Sequence, residues 1–374
     1  NCHRVIAVTN DVGDNTKVAV TAKLLIPRRL VICRAESTAA MENMASFDTD
    51  HIINPYEVFA EHLSLAIRKP QVNELHRWLG ARAGRLLEDP LLPPQGRWLI
   101  GGFGRFGQAC RRYLEARDIP VSVIEQNAQR FADINTDSLI HRIHGSATDP
   151  EPLHEAGVEE CAGIIAGTDS DTDNLSIVLT ARAINPAIYC IARQNHRAEK
   201  ELFRAADLPL VVEGGRILTW RILPLVTNPL LAEFLAKARC EEDAWAESLM
   251  QRLRSHFQNR SPEILEVRID PAHAAGLYTA MGKRTVRVAD LEHNAQGGRS
   301  KMAPLLLRTK DEDILCPGRG QTLHRGDCLL LALPERIAHR WEWLLANSAH
   351  WGSPTFAQRL GHRTELPDEE VHST

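Results

Sequence analysis

Three glycines at a fixed spacing carry the clearest chemical signal in this sequence. Gly102, Gly104 and Gly107 lie in the stretch Gly101-Gly102-Phe103-Gly104-Arg105-Phe106-Gly107, directly after the apolar Trp98-Leu99-Ile100. A first glycine permits a tight turn, a second lets a pyrophosphate approach the backbone, and a third lets helix and strand pack closely. A helix opened by such a turn also presents unpaired N–H groups to an anion. Glu125 follows Gly104 by 21 residues and closes the next apolar run, Val121–Ile124. A carboxylate there accepts hydrogen bonds from an adenosine ribose diol, whereas a 2′-phosphate asks for an arginine. Glu125, with Gln126 and Asn127 beyond it, favours NAD(H) or an adenine nucleotide over NADP(H).

Further candidates lie where later strands end. Gly145-Ser146-Ala147-Thr148-Asp149 and Gly167-Thr168-Asp169 follow the third and fourth apolar runs of this region. In an open α/β sheet that edge faces the ligand crevice. Thr148 and Asp149 suit a helix cap equally well. Arg105, in the first turn after the glycines, either reaches a phosphate or lies on the surface. Arg34 and Arg193 end strands, with ligand contact and ion pairing equally open to them. The 16 histidines show no metal-binding spacing, and no G-x-S-x-G elbow or Ser/His/Asp set appears. A nucleotide site with no acid–base partner reads as a sensor rather than an enzyme.

These residues need strands and helices to position them, and the pattern supplies both. Short apolar strands alternating with helices predict a Rossmann-like, doubly wound parallel sheet. Gly163–Ala166 is a strand, Thr172–Ile184 a helix stopped by Asn185-Pro186, and Ala187–Ile191 the next strand. The sequence also holds an internal repeat at an offset of 159 residues. Thr9/Thr168, Asp14/Asp173, Asn15/Asn174, Ile32/Ile191, Arg34/Arg193 and Asp48/Asp207 are among 13 identities over the 43 positions from 6 to 48. Ordinary residue usage gives roughly three. The chain is therefore read as duplicated. The later copy is complete over about 96–235; the earlier one lacks the half that would carry its glycine turn.

Composition sets the outer limits. The chain has 374 residues, 44% hydrophobic and 25% charged, with a formal charge of −4. That fits a folded protein of two or three domains with no global basic field for nucleic acid. No apolar run reaches the roughly 18 residues of a membrane span. Eight cysteines without a C-x-x-C pair point to a reducing compartment. Asn1 in place of methionine suggests a piece of a longer protein.

The phrases GGFGRFG, VIEQN, HGSATDPEPLHEAG and GIIAGTDSDTDNLSIVLTARAINP resemble the RCK N-terminal, or TrkA-N, domain of potassium channels and Trk-type potassium transporters. AVTNDVGDNTKVAVTAKLLIP resembles the last of these phrases, and PLLLRTKDEDILCPGRGQTLHRGDCLLLALPE is similar to the RCK C-terminal, or TrkA-C, domain. The resemblance implies a truncated first RCK N domain over 1–87, a linker over 88–96 and a complete second one over 97–235. A helical connector over 236–262, an α+β RCK C domain over 263–335 and a helix with a polar tail over 336–374 follow. It implies a cytosolic gating-ring region at an inner membrane, with no membrane span of its own. NAD(H) or ADP/ATP would control a potassium pore, with homo-oligomers forming an eight-domain ring. The pore would precede Asn1; the alternative is a peripheral subunit of a Trk-type transporter, and an NAD-dependent oxidoreductase ranks third. The ligand residues carried over are Gly102, Phe103, Gly104, Arg105, Phe106, Gly107, Glu125, Gln126, Ala147, Thr148, Thr168 and Asp169. Ser146 departs from the aspartate of the family's G-D-A-T segment, which puts one adenine-side contact in doubt.

Overall fold

A computed structural model of the protein describes residues 4–87, 92–131, 140–292, 301–347 and 351. By internal contacts the chain divides into two units, Asn1–Glu74 with Asp89–Leu223, and Leu75–Glu88 with Pro224–Thr374.

The first unit holds both copies. The earlier copy runs β1 (Arg4–Ala7), α1 (Val12–Leu25), β2 (Leu30–Arg34), α2 (Thr38–Ala45), β3 (His51–Ile53) and α3 (Pro55–Arg68), with α4 (Pro70–Leu79) crossing the unit boundary. The later copy runs β4 (Trp98–Gly101), α5 (Arg105–Glu115), β5 (Val121–Glu125), β6 (His141–His144), α6 (Pro150–Glu155), β7 (Gly163–Ala166) and α7 (Asp171–Ile184). It continues through β8 (Tyr189–Gln194), α8 (Lys200–Ala205), β9 (Leu210–Glu213) and α9 (Gly214–Thr227). Its six strands are all parallel, in the order β6-β5-β4-β7-β8-β9. That is the doubly wound order, with β4 and β7 flanking the point where the winding reverses. The earlier copy forms a three-stranded parallel sheet, β1-β2-β3.

The duplication holds at the level of register. Ile6 pairs with Ile32 and Arg34 with Ile53, and their counterparts Ile165 and Ile191, Arg193 and Val212 pair likewise. The helix caps agree as well. The Asp11 side chain accepts from the Asp14 N–H, and that of Ser170 from the Asp173 N–H. Asp48 and Asp207 both take left-handed backbone, with φ of 58° and 47°.

Successive strand side chains point to opposite faces. Trp98, Ile100, Val123, Ile165 and Ile191 therefore pack one way and Leu99, Ile124, Ile143 and Ile164 the other. α6 and α7 cover the second face through Leu153, Ile177, Val178 and Ala181. The first face is covered by α5 and also by α3 of the earlier copy. Tyr56, Phe59, Leu63 and Ile67 recur at helical spacing and meet Phe106, Cys110 and Leu114. Each such large apolar side chain contributes about 1.5–3 kcal/mol on burial. The two copies thus meet in one core through α3, while the sheet of the earlier copy packs separately around Val31, Cys33 and Met44.

In the second unit, α10 (Pro229–Ala238) and α11 (Asp243–Phe257) precede β10 (Glu263–Arg268), α12 (Ala275–Ala280), β11 (Val286–Arg287) and α13 (Val288–Leu291). Then come β12 (Ala303–Arg308), β13 (Asp313–Leu315), β14 (Thr322–Leu323), β15 (Cys328–Leu333) and α14 (Ala338–Ala346). The main sheet is antiparallel, β10-β15-β12-β13. Leu329, Leu331 and Leu333 face one core and Leu330 and Ala332 another.

The stretch from Gly214 to Ala238 forms two helices, broken at Asn228-Pro229, because a residue before proline is driven out of helical backbone. The division between the two units falls after Leu223. The reason is that Leu230, Leu231, Phe234 and Leu235 pack with Leu249, Met250 and Leu253 of the second unit. Positions 88–91 of the expected linker, and nearly all of the expected polar tail, lie outside the described residues. Trp351 is described, buried, with its indole N–H on the Leu344 carbonyl at 2.9 Å.

Candidate functional site

The carboxyl ends of β4 to β7 meet in a cleft of about 300 Å³. Its floor is the glycine turn, and the three glycines are needed for three different reasons. Gly102 has φ of +93°, and a Cβ there would sit 2.9 Å from the Thr168 methyl and 3.2 Å from the Thr168 nitrogen. Gly107 lies so close to the turn that a Cβ would come within 2.1 Å of the Gly102 carbonyl oxygen. Gly104 caps α5 with φ of −71°, open to any residue. A Cβ there would meet only the Arg130 guanidinium, at an ordinary 3.6 Å. Neither backbone nor packing demands glycine at 104; close approach of a ligand to the turn would.

Glu125 ends β5 with a carboxylate only 7% exposed. One oxygen accepts from the Phe103 amide at 2.6 Å and from Arg130 at 3.3 Å, the other from the Asn127 amide at 2.9 Å. These contacts fix the carboxylate against the turn and leave it lone pairs for a hydroxyl donor. Gln126 lines the cleft beside it, its carbonyl held by His144 at 2.8 Å. On the opposite wall Ala147 is nearly buried. The Thr148 hydroxyl meets the Ser146 hydroxyl at 2.6 Å and Asp149 at 3.2 Å. Thr168 lines the cleft, but its hydroxyl is already tied to Asn174. Asp169 is on the rim, 80% exposed and paired with Arg193 at 2.9 Å.

The structure therefore gathers Gly102, Gly104, Glu125, Gln126, Ala147, Thr148, Thr168 and Asp169 around one cleft. Four of the sequence candidates lie outside that lining. Phe106 is fully buried against Tyr56 and Phe59 at ring distances of 5.8 and 5.5 Å, so its side chain is a core element. Gly107 is a packing position beneath the turn. Arg105 is turned toward Glu36 of the earlier copy, 3.2 Å away. Phe103 contributes its amide while its ring packs near Phe131 at 6.0 Å.

Arg130 and Asn174 escaped the sequence reading. Arg130 sits in a short helical turn after β5, and nothing in its spacing marks it. Asn174 is fully buried and clamps the ends of β7 and β8. Its oxygen accepts from the Thr168 amide at 2.8 Å, and its amide donates to the carbonyls of Thr168 at 3.1 Å and Arg193 at 2.8 Å. Asn15 makes the same three bonds to Thr9 and Arg34, at 2.9, 3.0 and 3.2 Å. A polar identity kept between the copies inside a helix was the available signal. Among the described residues no group of three or more His, Cys, Asp or Glu side chains is placed to hold a metal ion. None of the described helices is long and apolar enough to cross a membrane.

Residues 98–213, from β4 to β9, match the profile of the TrkA-N domain. The match takes in the glycine turn and all six strands of the complete copy. Potassium channel protein 1 of Methanocaldococcus jannaschii is 27% identical over 166 residues, 42% of this chain and 48% of that protein. A Trk system potassium uptake protein TrkA homolog of Pyrococcus abyssi is 31% identical over 105 residues, 28% of this chain and 46% of that one. The chain thus spans about half the length of these relatives. Among solved structures, the GsuK channel bound to NAD superposes with a TM-score of 0.46 and 15% identity, over 92% of this chain and 66% of that chain.

Proposed function

We propose that this chain is a ligand-sensing regulatory region of a potassium channel, and that an adenine nucleotide or dinucleotide on the TrkA-N domain controls potassium conductance. The carrying observation is Gly104, a glycine that neither conformation nor packing requires, at the open floor of a cleft with Glu125 on its wall. The adenosine ribose would lie against Glu125, with the phosphates over the Gly102–Gly104 turn and the N-terminus of α5. Arg130 would neutralise phosphate charge from the side. The candidate ligand residues remain those of the cleft, with Phe106 and Gly107 acting as supports.

In this reading the chain works on the cytoplasmic side of a membrane, as an oligomer, and its partner is a pore domain of the same full-length protein. A second reading, a separate subunit of a Trk-type transporter, is favoured by the TrkA homolog among its relatives. Paired transmembrane helices in the full-length protein would select the first reading, and their absence the second. The regulatory role is non-catalytic, and NADH oxidation with a small carbonyl substrate would contradict it.

Calorimetry with ATP, ADP, NAD and NADH tests the site. At least one should bind the wild-type chain, and Gly104→Val should weaken it about tenfold or more, equivalent to about 1.4 kcal/mol. Unchanged affinity in Gly104→Val would move the ligand away from the turn.

A further inference from the structure

The wall of the cleft opposite the glycine turn is formed by the segment after β6, Gly145 to Thr148. Thr148 and Asp149 suit a helix cap by type, yet the structure does not use them as one. Asp149 stands at the N-cap position of α6 and makes no side-chain cap bond. Its carboxylate accepts instead from the Thr148 hydroxyl at 3.2 Å. The Thr148 hydroxyl meets the Ser146 hydroxyl at 2.6 Å, and the Ser146 oxygen also accepts from the Thr148 amide at 3.3 Å. Two further bonds hold this row of hydroxyls in place. The Asp149 amide donates to the Ser146 carbonyl at 3.1 Å, and the Thr180 hydroxyl of α7 donates to the Thr148 carbonyl at 3.2 Å.

The carboxylate decides which way each proton in the row points. An ionised carboxylate only accepts, so Thr148 gives its single hydroxyl proton to Asp149. The Thr148 oxygen must then receive the Ser146 proton. A hydroxyl has one proton and two lone pairs. Ser146 uses its proton on Thr148 and one lone pair on the Thr148 amide. Thr148 uses its proton on Asp149 and one lone pair on Ser146. Each oxygen keeps one lone pair, and neither keeps a proton. Both side chains line the cleft, so the hydroxyls of this wall are acceptors only. The residue that makes them so, Asp149, is not part of the lining. Gln126, which also lines the cleft, is under no such restriction, because its side-chain amide carries both polarities.

We infer that Ser146 selects the base of the bound nucleotide, accepting from the exocyclic amine of a 6-aminopurine and disfavouring a purine with a carbonyl at that position. Asp149 sets this polarity through Thr148 without touching the ligand, as a positioning residue. The inference rests on the nucleotide reading of the cleft. With the ribose against Glu125 and the phosphates over the turn, the base falls to the Gly145–Thr148 wall. A carbonyl brought to Ser146 sets two acceptors face to face and leaves both unpaired. A site built to hydrogen-bond one group discriminates against an analogue lacking it far more strongly than a site that differs only in shape.

The test is calorimetry on the whole chain with ATP against ITP, and with NAD against its hypoxanthine analogue. The proteins compared are wild type, Ser146→Ala, Ser146→Asp, Asp149→Asn and the double variant Ser146→Asp/Asp149→Asn. Wild type should favour the adenine member of each pair about tenfold or more, equivalent to about 1.4 kcal/mol. Ser146→Ala should bring the ratio close to one. Asp149→Asn should narrow it severalfold by raising the affinity for the hypoxanthine ligands. An amide can donate to Thr148, which lets the row run in reverse and leaves Ser146 a proton for a carbonyl. Ser146→Asp should keep the preference, and adding Asp149→Asn to it should leave the ratio as it was, since a carboxylate at 146 accepts without the relay. Equal affinity of wild type for the two members of each pair, or a ratio that exposed Asp149→Asn does not move, would overturn the inference while leaving the cleft intact. Failure of the wild-type chain to bind any of these nucleotides would overturn the cleft reading, and the inference with it.

Discussion

Gly102 and Gly104 are two residues apart, and substitution should separate their roles. Alanine at 102 must hold a left-handed backbone and push against Thr168. A cost of about 1–3 kcal/mol is expected for such a position, read as a lower urea midpoint. Alanine at 104 keeps its backbone and touches only Arg130, so its effect on stability should be about 1 kcal/mol or less for a cap position. Its effect should appear in nucleotide binding. Equal losses of stability in the two variants would mean that Gly104 is a structural glycine.

At the scale of elements, two small constructions should dominate. Asn174 joins β7 to β8 from inside α7, and Asn174→Ala strands the Thr168 amide and the Arg193 carbonyl in a partly buried place. Orphaned buried groups cost about 1–3 kcal/mol each. Chemical denaturation should therefore show a loss of about 2–3 kcal/mol, with Asn15→Ala changing in the same direction. In the second unit, Arg308 and Asp313 pair across β12 and β13, with hydrogen bonds at 2.8 Å. The Arg308 hydrogen bonds hold the Asp313 carboxyl below its ordinary 3.8, against the opposing effect of burial and with further help from Lys237. A depressed carboxyl stabilises the fold above its unfolded value and ceases to do so as pH falls through its folded value. Asp313→Asn should thus flatten the loss of stability below about pH 4. An acid profile identical to wild type would remove this pair from the account.

At the scale of the whole molecule, what could be read from the sequence and what could not follow a physical line. Parallel strands buried on both faces leave short apolar runs, and the glycine turn has its own spacing, so the doubly wound sheet and the cleft floor were legible. The repeat was legible because Asn15, Arg34 and Asp48 serve local geometry that both copies need. The covering of α5 by α3 was not. The stripe Tyr56, Phe59, Leu63 and Ile67 says that a face is buried, never against which partner. The direction of Arg105 was illegible for the same reason, since Glu36 is 69 positions away in the chain. The break at Asn228-Pro229 is written in the proline itself, although leucines continue on both sides of it.

The central claim is that a nucleotide at Gly102–Gly104 governs potassium movement. Its most direct test is potassium flux through the full-length protein in liposomes, with the bound nucleotide varied and Gly104→Val beside the wild type. The account predicts that the nucleotide found by calorimetry shifts flux in the wild type, in either direction. It predicts that Gly104→Val, still folded and assembled, conducts without responding. A wild type indifferent to nucleotide, or a Gly104→Val variant that responds with unchanged midpoint and amplitude, would contradict it.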